Sequence, residues 1–310
     1  MGDFTYAGLV ALLARVIGDH DPALLDGTTV ADPMKGAMAD ADSKQSLVQR
    51  VMDRHGPGLL LSTGQYLDLA DETPALTVLR NSATPWVLAE KFMRLERYHH
   101  SAHRTLIETQ KGAWICARYG KGQLSSDGEN CLIAGLLLGL AMAIGRKEPR
   151  LEIGGRPFTP EGLHCATLEP GAGTAQFRIS WSSPATLKDQ QRSPAPKYDK
   201  GRLSDRLAAL FETDIGRSWS VADTAQILAA SERSLQRRLN TEARSYSSVL
   251  RRARMKAATM LLVETDTSLA EIGYCCGYAD QAHFQRDFLR TANVTPRQFR
   301  LINREADGLI

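Results

Sequence analysis

The chain has 310 residues, 43% hydrophobic and 24% charged, the make-up of an ordinary soluble fold and, by length, of two domains. The longest apolar run, Leu132 to Ile144, is shorter than the roughly 20 residues of a membrane span and is interrupted by Gly135 and Gly139, and no early stretch has the layout of a signal peptide. Net charge is only +3, and five cysteines, odd in number and without metal-type spacing, point to a reducing cytoplasm.

Residues 1–183 read as α+β. Leu106–Glu108 and Ala113–Arg118 are predicted strands joined by a turn at Lys111-Gly112. Glu129–Ile144 is a mostly apolar helix, and Arg150–Ile153 and Ala175–Trp181 are further strands. Together they predict a small sheet with packed helices. A helix ends in the polar stretch "RLERYHHSAHR", where His99, His100 and His103 include the i, i+4 spacing of a helical metal site. No Glu or Cys completes such a site in the local sequence. A surface or dimer-facing role is expected, and no metal. No nucleophile elbow, phosphate-binding loop or dinucleotide fingerprint occurs, so neither an enzyme nor a cofactor is expected.

Ser182 to Gly201 is rich in Pro, Ser and charge and reads as a linker, assigned to 184–202. Beyond it the charge excess accumulates. Residues 201–310 hold 16 Lys+Arg against 13 Asp+Glu, and 15 of the 16 are arginine, whose planar fork suits phosphate and guanine.

This third of the chain predicts helices near 204–214, 220–229, 231–240, 247–264, 268–276, 280–290 and 296–303. Ser220 with Asp223, Ser268 with Glu271, and Thr295 with Gln298 have capping-box spacing, and Pro296 suits a first helical position. The short joins after 229 and 276 give two helix-turn-helix pairs. "LQRRL" at Leu235 returns as "FQRDF" at Phe284, 49 positions later, and Ser231 and Asp280, both good N-caps, keep the same offset. Arg233, Gln236, Arg237 and Asn240 fall within one arc of about 100°, opposite Leu235 and Leu239. Gln281, Ala282, Gln285 and Arg286 share an arc of about 140°, away from Phe284 and Phe288. Arg can grip guanine by two hydrogen bonds and Gln can do so with adenine.

The segments "SERSLQRRL", "RMKAATMLL" and "SLAEIGYCCGYADQAHFQRDFLRTANVTPRQFR", in that order, resemble the DNA-binding domain of the AraC/XylS family of bacterial transcription regulators. The resemblance implies an all-α domain over 203–303, with two helix-turn-helix units joined by a long helix, entering successive major grooves of double-stranded DNA about one turn apart. It implies base contacts from Arg233, Gln236 and Arg237 in the first unit, and from Gln281, Ala282, Gln285 and Arg286 in the second. Phosphate contacts fall on Ser231, Thr295 and Arg297. Three positions depart from the family pattern. Ala229 and Asn293 stand where glycine is usual, and Leu289 replaces a residue that is usually basic. Cys275-Cys276 could be imagined as a methyl acceptor, as in DNA-repair relatives of this family, but a core-facing pair of small hydrophobes is expected.

The stretch from "GLLLSTGQYLDLADE" to "GAWICARYGKG" resembles the arabinose-binding-type N-terminal domain of one branch of that family. This implies a sensing or dimerising domain. The expected function is therefore a DNA-binding regulator answering to a small-molecule effector, homodimeric, cytoplasmic, and a partner of RNA polymerase if it activates. The same regulator with an N-terminal domain used only for oligomerisation is the alternative, and an enzyme fused to a DNA-binding module a third reading. The effector is expected between the sheet around Trp114 and the helix Cys131–Ile144, with Trp86, Arg94, Arg97, Tyr98 and Trp114 as anchors and an anionic ligand favoured by arginine.

Overall fold

The computed structural model describes residues 4–5, 7–28, 30, 39–70, 73–99, 103–120, 125–169, 171–182 and 202–307. They fall into two compact units, within residues 1–184 and 185–310. Apart from Ser182 and Arg202, the expected linker lies outside the described residues.

The first unit begins with a two-residue strand pair, β1 (Phe4–Thr5) and β2 (Ala39–Asp40). Helices α1 (Ala7–His20), α2 (Ala41–His55), α3 (Gly58–Ser62), α4 (Pro74–Arg80) and α5 (Pro85–Tyr98) follow in chain order around and after them. The starts of α4 and α5 are set locally. Thr73 and Thr84 accept from the N–H groups of Leu76 and Val87 at 3.3 and 3.2 Å, and Pro74 and Pro85 supply the preset φ of a first helical residue.

Next come β3 (His103–Gln110), β4 (Ala113–Gly120), α6 (Asp127–Ala143), β5 (Lys147–Ile153), β6 (Arg156–Phe158) and β7 (Gln176–Ser182). The five longer-range strands form one antiparallel sheet in the order β3-β4-β7-β5-β6. The β3–β4 hairpin turns at Lys111-Gly112, where Gly112 takes a φ of +75°. Ile107, Trp114, Cys116, Leu151, Phe177 and Ile179 point inward, while Leu106, Glu108, Glu152 and Arg178 point to water, the alternation of a sheet covered on one face. The short strand β6 was not among the sequence expectations; three residues carry too little periodicity to read.

Helix α6 is buried nearly all round, and its glycines explain how. A Cβ on Gly139 would lie 1.9 Å from the carbonyl oxygen of Gly64, and one on Gly135 would lie 2.2 Å from that of Leu61. The glycines that interrupt the apolar run are thus where α6 lies backbone to backbone against residues 58–69.

The second unit is helical: α7 (Leu203–Thr213), α8 (Val221–Ile227), α9 (Glu232–Thr241), α10 (Tyr246–Glu264), α11 (Leu269–Cys275), α12 (Gln281–Ala292) and α13 (Pro296–Asp307). It has two cores. Leu207, Phe211, Leu235 and Leu239 gather with Val249, Leu250 and Ala253 of the first half of α10. Ile272, Cys276, Tyr278, Phe284 and Phe288 gather with Met255, Ala258 and Leu262 of its second half. Each helix pair therefore has its own apolar seat on one shared helix.

Candidate nucleic-acid interface

The two short pairs, α8–α9 and α11–α12, are built alike. Ser220 and Ser268 open the first helix of each, accepting from Asp223 N and Glu271 N at 3.0 and 3.2 Å. In the first join, Ala229 N–H donates to the Gln226 carbonyl and Ala230 N–H to that of Ala225. In the second, Gly277 N–H donates to Tyr274 and Tyr278 N–H to Gly273. These are paired Schellman bonds, which require a left-handed residue. Gly277 supplies it freely at φ +75°, while Ala229 is forced to +51°. Left-handed backbone at a residue with a Cβ strains Ala229 by roughly 1 kcal/mol. Ala243, after α9, repeats it at φ +53°, a site the sequence reading missed. Asn293 ends α12 at φ +58°, where its short polar side chain makes the conformation mild.

The second helix of each pair starts on an equivalent cap. Ser231 accepts from Ser234 N at 3.1 Å, and Asp280 accepts from His283 N at 2.7 Å. From there α9 turns Leu235 and Leu239 fully inward and leaves Arg233, Gln236, Arg237 and Asn240 exposed. Helix α12 buries Phe284 and Phe288 and leaves Gln281, Ala282, Gln285 and Arg286 exposed. Every sequence-assigned base-contact residue is thus in the open, on a face fixed by burial of its opposite.

Thr295 and Gln298 form a complete capping box on α13: Thr295 N–H donates to Gln298 Oε1 at 3.0 Å and Gln298 N–H to the Thr295 hydroxyl at 3.2 Å. Arg297 is exposed beside them. Ser245 and Ser248 form a second box on α10, unforeseen because the third residue is Ser rather than Glu or Gln.

The two α9/α12 copies differ at one informative place. Arg238 is exposed, but Asp287, 49 positions on, is buried. Asp287 receives the Tyr278 hydroxyl at 3.1 Å and pairs with Arg251 of α10 and with Arg290. The carboxylate of Glu242 accepts from the N–H groups of Leu203 and Ser204 at 2.7 and 2.9 Å, capping α7. Burial acts to raise this carboxyl, but Ser204, Leu203 and Arg202 outweigh it and hold it below the usual range. Cys275 and Cys276 are buried, and burial pushes the Cys276 thiol up to about 12, leaving it protonated at neutral pH.

In the first unit the five expected anchors do not converge. Trp86 and Arg97 are exposed, and Arg94 is buried and paired with Glu90 at 2.9 Å. Tyr98 is buried, and Trp114 packs edge-on against Trp181 at 5.2 Å. None of the five lines either of two adjoining clefts along α6, the first about 40 Å³ and the second about 30 Å³. The polar lining of the first comes instead from Lys44, Glu96, His99, His103, Arg118 and Glu129.

The "RLERYHH" stretch, expected to be an exposed helix end, is mostly buried because its polar groups are paired. Glu96 accepts from Thr105 N–H, Thr105 Oγ1 and Arg118, at 2.6, 2.9 and 2.8 Å. His99 ends α5 and bonds back to the Leu95 carbonyl at 3.0 Å. His103 starts β3 and lies 3.2 Å from Glu129. The i, i+4 spacing is therefore not a helical one, and among the described residues no group of three or more His, Cys, Asp or Glu could hold a metal ion. His100 lies outside the described residues.

With this geometry in view, comparison with known proteins is specific for the second unit. The family model described as "Helix-turn-helix domain" matches residues 224–301. This segment is a helix-turn-helix domain of the AraC/XylS type. The chain is similar to two Escherichia coli proteins, the HTH-type transcriptional activator CsvR and the DNA-binding dual transcriptional regulator Rns. It is 30% identical to the first over 97 residues, 31% of this chain and 36% of that one. It is 32% identical to the second over 97 residues, 31% and 37%. The chain thus spans just over a third of the length of these curated relatives. The solved transcriptional regulator CdpR from Pseudomonas aeruginosa aligns over 96% of this chain and 99% of its own, with 18% identity and a TM-score of 0.37.

Proposed function

We propose that the protein is a sequence-specific DNA-binding transcriptional regulator, controlled through its first unit by a small-molecule effector. The observation that carries the reading is the pair of exposed Arg/Gln faces, α9 and α12, seated on separate cores at the two halves of α10. Helix α10 has 19 residues, about 28 Å of rise, close to the roughly 34 Å of one DNA turn. In this reading Arg233, Gln236 and Arg237 contact bases in one major-groove segment, and Gln281, Ala282, Gln285 and Arg286 in the next. Ser231, Thr295 and Arg297 hold phosphate.

The clefts beside α6 support the effector role for residues 1–183 over a purely oligomerising one. The regulator works as a homodimer in the cytoplasm, meets RNA polymerase when it activates, and has no catalytic step. Among the described residues no helix is long and apolar enough to cross a membrane. Selection of bound sequences from a random duplex pool, followed by footprinting, tests the reading. It predicts two protected major-groove segments about one turn apart, on one face of the duplex. Binding without sequence preference would refute it.

A further inference from the structure

Helices α9 and α12 carry the same exposed stripe. In α9 it runs through Arg233, Gln236, Arg237 and Asn240, at i, i+3, i+4 and i+7. In α12 it runs through Ala282, Gln285, Arg286 and Leu289, each 49 positions on. The centre of the stripe, Gln-Arg, is identical in both. The ends are not. Those of α9, Arg233 and Asn240, carry hydrogen-bonding groups, and those of α12, Ala282 and Leu289, carry none. Leu289 is 46% exposed and is not part of the core that holds Phe284 and Phe288, so packing does not account for a leucine there. Seven residues of helix rise carry the stripe over about 10.5 Å, about three base-pair steps of DNA. A homeodomain helix reads bases with a stripe of the same spacing. In the major groove the apolar group on a base edge is the C5 methyl of thymine. Arg pairs instead with the two acceptors of guanine, and Asn with the donor and acceptor of adenine.

We propose that the two helices share one central contact and differ at its flanks: α12 reads thymine methyl groups with Ala282 and Leu289, and α9 reads hydrogen-bonding base edges with Arg233 and Asn240. Asn240 and Leu289 are then specificity-determining residues, at the equivalent far end of each stripe. A lysine at 289 would reach phosphate and add affinity that is blind to sequence. Leucine holds no phosphate and reports only whether a methyl group is there. The unequal flanks also fix the register on DNA. Seating α9 on the half-site of α12 puts the Asn240 amide against a methyl group, and seating α12 on the half-site of α9 puts Leu289 against a polar base edge. Either mismatch leaves polar groups desolvated and unpaired. A site is therefore bound in one register although both helices share their Gln-Arg centre. This inference deepens the DNA-binding reading above and rests on it.

The test uses the full chain and the site selected from the random pool. The half contacted by α12 is the one where Arg286→Ala relaxes discrimination. Each thymine in that half is replaced in turn by deoxyuridine, which removes the methyl group and keeps the base pair. Titrated gel shifts of the parent should show about a fourfold loss at one or two of these positions. Leu289→Ala should abolish the loss at one of them. Leu289→Lys should do the same while steepening the salt dependence of binding by about one phosphate contact. Asn240→Leu should weaken binding to the selected site about tenfold and relax the preference for one base pair in the other half. Both side chains are exposed, so the three variants should keep the denaturation midpoint of the parent. A selected α12 half that requires no thymine, a parent indifferent to every uracil there, or Leu289→Ala with undiminished sensitivity to uracil overturns the proposal and leaves sequence-specific binding standing. A parent that selects no sequence at all defeats the regulator reading itself, and this inference with it.

Discussion

Arg251 of α10 places its Nε 3.1 Å from Oδ1 of Asp287 on α12. This pair ties α12 to α10, and Tyr278 donates to the same carboxylate. The equivalent position of α9 is the exposed Arg238, so only the second pair is locked in this way. Asp287→Ala leaves a buried phenol and a guanidinium without their acceptor. It should cost about 2 kcal/mol of stability, read by denaturant unfolding, and should blur the footprint over the second segment more than over the first. Equal loss at both segments would count against a local lock.

Arg237→Ala and Arg286→Ala remove the exposed guanidinium that follows Gln in α9 and in α12. Each should weaken binding to the selected site by about 1–3 kcal/mol and relax discrimination at a different base pair. Titrated gel shifts on single-base-pair variants of the site measure both. Unchanged affinity and preference in the two mutants would remove these helices from the interface.

Ala229 and Ala243 hold left-handed backbone with an exposed Cβ. Replacing either by glycine relieves that conformation, offset in part by the greater freedom of glycine in the unfolded chain. Ala229→Gly and Ala243→Gly should each stabilise the protein by about 0.5–1 kcal/mol. A fall in the denaturation midpoint would contradict the strained geometry.

Glu242 caps α7 with a carboxyl held below its usual range. The folded state binds the proton less tightly than the unfolded chain, so the stabilisation is full above the ordinary carboxylate pKa, about 4.3. It is lost as pH falls through the lower, folded value. Glu242→Ala should cost about 1 kcal/mol at neutral pH, and the gap from the parent should close on acidification. A gap that is constant with pH would mean the cap does not depend on charge.

How much of this was legible in the sequence depends on how far apart the cooperating residues lie. In the second unit the informative groups are local. Ser231 with Ser234, Thr295 with Gln298, and the period of Leu235–Leu239 and Phe284–Phe288 are all read within one or two turns, and the helix bounds lie within four residues of expectation, the largest difference being the C-terminal end of α13. Ala243 escaped because nothing but its backbone marks it. In the first unit the cleft draws Lys44, Glu96, Arg118 and Glu129 from α2, α5, β4 and α6, and no spacing rule joins them. Helix α5 misled for a related reason. Its Lys91 is fully buried, donating to the carbonyls of Val78 and Asn81 at the end of α4 at 2.8 and 3.1 Å. A charge whose partner lies on another helix reads as surface until the fold is known.

Helix α10, shared by two cores, makes the second unit a caliper with its jaws set. One added base pair between the two halves of a binding site moves the far groove by about 3.4 Å and turns it by about 35°. A continuous 19-residue helix with a core bound to each half has no joint at which to follow that step. Sites recognised by such a protein can drift in their letters, each change weakening binding by a graded amount. Their spacing cannot drift in the same way. An inserted or deleted base pair between the half-sites would disengage one jaw outright, and a new operator would have to arise at the old interval.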